Sequence, residues 1–350
     1  MEKHTTSISN SDKLSLLSSL STMLVAGIPL VETVDSLLDD AKGGLKKMLT
    51  AVRSDLAEGK HLYYAFAKFP NVFDSVTISI LKASEESGTL DTALKDIRQN
   101  VRKEIEFSDK IRSALTYPLV IFVVFLIVLI VMLVFVVPRI SQVFLRMNVA
   151  LPLPTRVMLF ASDIMLHYTI PFLAVGVVIV GAFIYLYKRS KKKVIQFFAG
   201  LPVFSPLARE IDLERFSRSL YQLLNAGIPI TEALDLAKDV VIKKEIAETI
   251  ERSKDLVASG RKLSEGFVEH KHIIPNMMIK IIESGEKSAT LDKSMLEISE
   301  FLDYQVSKRL ATLTTLLEPI MLVFVGLLVG GMMMAIIAPI YGLISQVGSK

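Results

Sequence analysis

The chain has 350 residues, 51% of them hydrophobic, no cysteine or tryptophan, and a formal net charge of +4. With a mean hydropathy of +0.47, it is too apolar for an ordinary water-soluble protein, and it excludes disulfides, thiol catalysis and cysteine-ligated metals. The positive charge gathers beside apolar runs instead of forming a basic face, so no nucleic-acid partner is expected.

In chain order, Leu14, Leu17, Leu20 and Leu24 fit one face of a helix. Gly27 can take the left-handed stop and Pro29 starts the next helix, so Ala26-Gly27-Ile28-Pro29 reads as a corner. The second helix is expected to run to about Lys42 and close at Gly43-Gly44. A third covers Leu45 to Glu58 and stops at Gly59, and a shorter one ends at Pro70. Asp74 can cap a fifth, which Gly88 ends. Thr89 then caps a sixth, where Leu90, Leu94, Ile97, Val101 and Ile105 recur at helical spacing. That helix leads to Pro118 and nineteen uncharged residues, Leu119 to Val137; eighteen more follow from Ile170 to Tyr187.

The pattern then starts again. Ser19 to Asp35 is nearly respelled by Ser219 to Asp235, and Ser87-Gly-Thr-Leu-Asp91 returns as Ser288-Ala-Thr-Leu-Asp292. Leu213, Phe216, Leu220 and Leu224 open the second copy, Gly227 and Pro229 make its corner, Gly260 closes its third helix, and Gly285 belongs to its later turn block. Leu291, Met295, Ile298 and Leu302 line its last helix, which leads to Pro319 and twenty-five apolar residues, Ile320 to Ile344. The protein is a duplication of a helical module.

Each of the three apolar runs is long enough as a helix to cross a hydrocarbon core of about 30 Å. Lys188, Arg189, Lys191, Lys192 and Lys193 follow the second run, Lys110 and Arg112 precede the first, and Lys308 and Arg309 precede the third, so these sides face the cytoplasm. The expected organisation is a first cytoplasmic bundle over residues 1–113, membrane helices at 114–138 and 169–187 joined by an external loop at 139–168, and a second cytoplasmic bundle at 188–317. Residues 318–350 form the third membrane helix and a short external tail. The N-terminus is cytoplasmic, and the late first span excludes a cleaved signal peptide.

Chemistry-bearing patterns are sparse. No run fits Gly-x-x-x-x-Gly-Lys-Ser/Thr, and the lone Gly-Lys pair, Gly59-Lys60, lacks the upstream glycine. His270 and His272 lack neighbouring ligands for a metal, so neither metal nor cofactor is expected. The spans hold no ionisable residue, which speaks against a pump or coupled transporter, and each copy places most of its length outside lipid, unlike transporter repeats. Gly326 and Gly330 form a face on which membrane helices can approach closely. No nucleophile, base and orienting group converge, so no enzyme is expected. Glu32, Asp35 and Asp39 share one helical face and return as Glu232, Asp235 and Asp239. Such stripes fit a solvated face and the helix dipole. They also fit docking of a basic partner or, if Glu85, Glu86 or Asp91 folds back beside them, a divalent cation. Glu85, Asp91, Glu286 and Asp292 in the later block join the candidate docking acids.

Ala26-Gly27-Ile28-Pro29 and Ala226-Gly227-Ile228-Pro229, each followed by Glu-x-x-Asp, together with Glu85 to Asp91 and Gly285 to Asp292, resemble the inner-membrane platform family of type II secretion and type IV pilus machines. The resemblance runs from about Lys13 to Gln346. Ser84 and Ala289 stand where the family's later block usually has glycine, and alanine at a helix stop is expected to blur that turn. Longer members carry a further N-terminal segment, whose contacts are not carried over. The resemblance implies an all-α integral membrane protein with two six-helix cytoplasmic bundles and three spans. It also implies an oligomer without enzymatic activity, in the inner membrane, that couples a cytoplasmic hexameric ATPase to movement of pilin or pseudopilin among other inner-membrane assembly proteins. Platforms of tight-adherence or archaeal-type filaments are the nearest alternative, and a transporter or channel is a more distant one.

Overall fold

The computed structural model describes residues 6–136, 138–139, 160, 181 and 205–347. Every regular element among them is helical. The expected external loop and second membrane helix lie almost wholly outside the described residues, as does the tail after Val347.

The first copy forms α1 (Asn10–Val25), α2 (Leu30–Asp40), α3 (Gly43–Ala57), α4 (Leu62–Ala67), α5 (Ser75–Ser87) and α6 (Leu90–Val131), followed by one π-helical stretch, Met132–Val136. The second forms α7 (Ser205–Asn225), α8 (Ile230–Lys238), α9 (Lys244–Ala258), α10 (Leu263–Val268), α11 (Asn276–Ser288) and α12 (Leu291–Val347).

At both corners the chain leaves the helix with a glycine at positive φ, 79° at Gly27 and 76° at Gly227. The next N–H then reaches back five residues, Ile28 to the Met23 carbonyl and Ile228 to that of Leu223, each at 3.0 Å. This pairing satisfies carbonyls that a helix end otherwise leaves open, and glycine reaches the left-handed region without a Cβ clash. Asp74 caps α5 by accepting from the Thr77 N–H at 2.7 Å.

The glycines at 43 and 44 act differently from the expectation. Helix α2 ends at Asp40, and Gly43 opens α3. Glycine at 44 answers a close approach of the N-terminal segment, because a Cβ there would sit 2.6 Å from the Ser7 carbonyl oxygen. The prolines that open the apolar runs, Pro118 and Pro319, lie inside α6 and α12. At each, the helix continues although proline supplies no N–H to the carbonyl four residues earlier.

The chain divides into two compact units. The first comprises Met1–Lys110 and Ile195–Ser307 and therefore holds both helix sets. One apolar cluster runs through it, from Leu16, Leu17 and Leu20 through Phe66, Phe69 and Phe73 to Phe216, Phe267 and Met295, all nearly inaccessible to solvent. The Phe66 and Phe73 rings stack at 4.1 Å in the first copy, and Phe216 meets Phe267 edge-on at 6.0 Å in the second. Burial of such side chains drives the packing of short helices that are marginal alone.

The second unit, Ile111–Val194 and Lys308–Lys350, contains the apolar lengths of α6 and α12. Both helices are long and apolar enough to cross a membrane. Leu119, Ile127, Leu322 and Leu327 are exposed along them, while Phe125 and Phe324 meet edge-on at 5.1 Å.

Candidate functional site

The acidic stripes lie on the helices that leave the two corners. Their outer members, Glu32 and Asp39 on α2 and Glu232 and Asp239 at the matching places on and just after α8, are exposed. The middle acid is engaged in both copies. Asp35 receives the Arg53 guanidinium from α3 through two hydrogen bonds, the longer one 3.3 Å. Asp235 receives Lys254 at 2.9 Å and Lys238 at 3.2 Å, and both lysines also hold Glu251 on α9. Hydrogen bonds from Lys254 and Lys238 keep the Asp235 carboxyl below the ordinary carboxylate range. Their attraction also holds Glu251 low, Lys238 being the larger cause. These groups are half-exposed, so each pair contributes at most about 1 kcal/mol. Arg53 and Lys254 occupy matching positions, and their task is to tie the stripe helix to the next one.

Glu85 and Glu286 have a separate task. Glu85 accepts the N–H groups of Leu62 at 2.9 Å and Tyr63 at 3.2 Å, and its side chain lies 3.2 Å from the His61 ring nitrogen. Glu286 accepts the Leu263 N–H at 2.6 Å and the Ser264 hydroxyl at 2.5 Å. Each carboxylate therefore caps the short fourth helix of its copy from the fifth, placing negative charge where the first-turn N–H groups are unpaired. Asp91 and Asp292 stand in the first turns of α6 and α12. No group of three or more His, Asp or Glu among the described residues could hold a metal ion.

Gly285, expected at a turn, lies instead inside α11, and Ala289 occupies the turn with φ 56°. That turn is as well formed as its counterpart at Gly88, since the Thr290 N–H reaches the Gly285 carbonyl at 2.8 Å and the Thr89 N–H reaches that of Ser84 at 2.8 Å. Glycine is required at 285 for another reason. A Cβ there would meet the Ser294 Oγ at 2.2 Å and the Leu291 Cα at 3.2 Å. In the first copy the matching pair is Ser84 and Ala93. The hydroxyl has changed sides of the contact.

Three interior acids lie outside the repeated motifs. Asp55, inside α3, is buried and accepts Lys60 at 2.9 Å and Lys68 at 2.8 Å. Burial pushes its carboxyl up, but hydrogen bonds from Lys68 and Lys60 outweigh that and hold it below the ordinary range. Asp212 accepts the N–H groups of Ile242 at 3.0 Å and Lys243 at 2.6 Å, and Glu214 accepts Arg218 at 2.6 Å. Burial raises both carboxyls despite those partners. A charged residue within an otherwise apolar helical face was the available signal, clearest at Glu214, where the first copy has Leu14.

Gly326 and Gly330 lie on α12, where an added Cβ would meet nothing within 4 Å. Within the first unit, α5 packs on α7 and α8. A cavity of about 400 Å³ follows that seam, lined by Asp96, Asn100, Tyr221 and Gln222 among others. Burial, together with the charges of Asp96, Asp292 and Glu300, pushes the Tyr221 hydroxyl up.

The sequence pattern of the family described as "Type II secretion system (T2SS), protein F" matches twice, at residues 16–138 and 216–339. Among similar proteins, the type IV pilus assembly protein PilC of Thermus thermophilus is 30% identical over 93% of this chain and 80% of its own length. PilC of Myxococcus xanthus is 29% identical over 92% and 78%. The type II secretion system protein F of Pseudomonas aeruginosa is 28% identical over 94% and 82%.

Proposed function

The chain belongs to the type II secretion system protein F family, and from that premise we propose that it is the inner-membrane platform of a type IV pilus or type II secretion machine. In this reading it performs no chemistry of its own. A cytoplasmic hexameric ATPase supplies the work, and the platform passes the motor's motion to pilin or pseudopilin subunits leaving the bilayer, beside other inner-membrane assembly proteins.

The observation that carries the reading is the coincidence of the two family matches with the two helix sets, each closing on an unbroken helix with an apolar second half. A push received by such a module reaches lipid through the module's own last helix. Relatives named for pilus assembly and for secretion both align along most of the chain, which supports a task common to the two machines. With the basic flanks inside, both modules and the N-terminus face the cytoplasm, where a nucleotide-driven motor works.

The exposed outer acids Glu32, Asp39, Glu232 and Asp239 are the proposed motor-facing contacts, because the middle acids already have cations. Copurification tests this. The full chain should retain its ATPase partner, and Glu32→Lys with Asp39→Lys should weaken that association while leaving the protein in the membrane fraction. Unchanged association after reversal in both copies discards the stripes, and ATP hydrolysis by the purified chain overturns the platform reading.

A further inference from the structure

The seam within the first unit runs one way. Helix α5 of the first copy packs on α7 and α8 of the second, whereas α11, the counterpart of α5, makes no comparable packing with α1 or α2, the counterparts of α7 and α8. Two similar modules joined head to tail in this manner leave one face of each kind unfilled. We propose that the unfilled faces meet between chains, so that α11 of one copy of this protein docks on α1 and α2 of the next.

Matching positions support the pairing. At the seam, Val76 and Ile80 on α5 are 2% and 5% exposed. They line cavities with Arg218, Ser219 and Gln222 on α7, and with Tyr221 and Asn225 on the same helix. Their counterparts on α11 are Met277 and Ile281. Met277 is 48% exposed, and both residues border an open groove of about 560 Å³. On the other unfilled face, Val25 is 64% exposed, Thr22 is exposed, and Ser18 and Ser19 are half-buried. Terminal modules of a self-sufficient array carry polar outer faces. Here the α11 face keeps Met277 and Ile281 where the inner seam has its apolar contacts, and the α1 face, with Ser18, Ser19 and Thr22, keeps one exposed apolar side chain, Val25.

Charged pairs also mark the seam, where Lys103 and Lys110 on α6 pair with Glu300 and Asp303 on α12, at 3.5 and 3.0 Å. On the outer faces, the α11 groove carries Glu297 together with Lys280, and the groove beside Leu14 and Ser18 on α1 is mainly basic, with Arg98, Arg102 and Lys103 beside Glu106, which pairs with Arg102. The proposed topology sends the last helix of each module out through the same side of the membrane, so an operator that carries one module to the next keeps neighbouring chains in one bilayer. The inference rests on that anchoring and is independent of the motor.

Because the chain lacks cysteine, paired cysteines report the contact without background. Thr22→Cys and Met277→Cys, placed together in the full chain and oxidised in membranes that contain no other protein of the machine, should give a ladder of dimers and larger species on a non-reducing gel. Either substitution alone should remain monomeric. Adding Ile281→Arg to the double variant should remove the ladder while the protein stays membrane-bound. Monomer from the double variant, or equal dimer from a single variant, overturns the head-to-tail contact. Neither outcome depends on ATPase binding, so failure here is separable from failure of the platform reading.

Discussion

The first and second modules share their helix order but place interior charge on different helices. In the first, Asp55 within α3 collects Lys60 and Lys68. In the second, Leu256 takes that place, and the interior acids belong to α7, where Asp212 fastens the backbone ahead of α9 and Glu214 meets Arg218. The longer-range corner hydrogen bonds, from Ile28 and Ile228, have the same length of 3.0 Å in the two copies. Backbone geometry that only a few residues can satisfy has been kept, while the side chains that brace it have diverged.

The largest break in that comparison should come from Asp55→Ala. It removes two charged hydrogen bonds and should destabilise the first module by about 3 kcal/mol, seen as faster hydrogen exchange in α3 and α4 while α9 and α10 change little. Acid should separate the modules in the same sense. The Asp55 carboxyl is held low when folded, so its contribution is present above the unfolded value of about 4 and disappears as pH falls through the folded value. Asp212 and Glu214 have raised values, so their contribution is fullest at low pH and declines as pH rises. Pepsin, active in acid, should therefore cut the first module at a higher pH than the second. Preferential cutting of the second module first would contradict the assignment.

A smaller effect comes from exchanging the hydroxyl contact. Gly285→Ser forces a Cβ against Ser294 and should cost about 2 kcal/mol, while Gly285→Ser with Ser294→Ala reproduces the first module's pair and should recover most of it. Thermal unfolding of the detergent-solubilised chain measures the difference. Glu286→Ala should expose the start of α10 to exchange and cost about 1.5 kcal/mol, somewhat more than a neutral cap because the acceptor is charged. Smallest is Ala289→Gly, which relieves a left-handed alanine and should stabilise by about 1 kcal/mol, with Gly88→Ala having the opposite sign.

How much of this could be seen in the residues follows from distance along the chain. The corners were legible because Gly27, Ile28 and Pro29 complete a hydrogen-bonded stop within five residues. Helical periodicity located the starts of α6 and α12, and the apolar runs marked their apolar halves. The fourth-helix caps were not legible, because Glu85 and Glu286 lie 22 or 23 residues beyond the N–H groups they accept. Gly43-Gly44 misled because the signal for closing α2 is the same as that for a close approach by Ser7. The spacing of the acidic stripe was legible, but only the fold reveals that Arg53, 18 residues away, pairs with Asp35.

The exchanged hydroxyl between α5–α6 and α11–α12 also constrains how the two halves of the gene could drift apart. A serine on both sides overfills the contact, while glycine facing alanine merely leaves a small void, so the tolerable mutational path loses one hydroxyl before gaining the other. Gene conversion between the halves meets the same restriction: a tract that copies the codon for residue 84 or 285 without the one nine codons later joins incompatible partners, and selection should favour tracts that carry both.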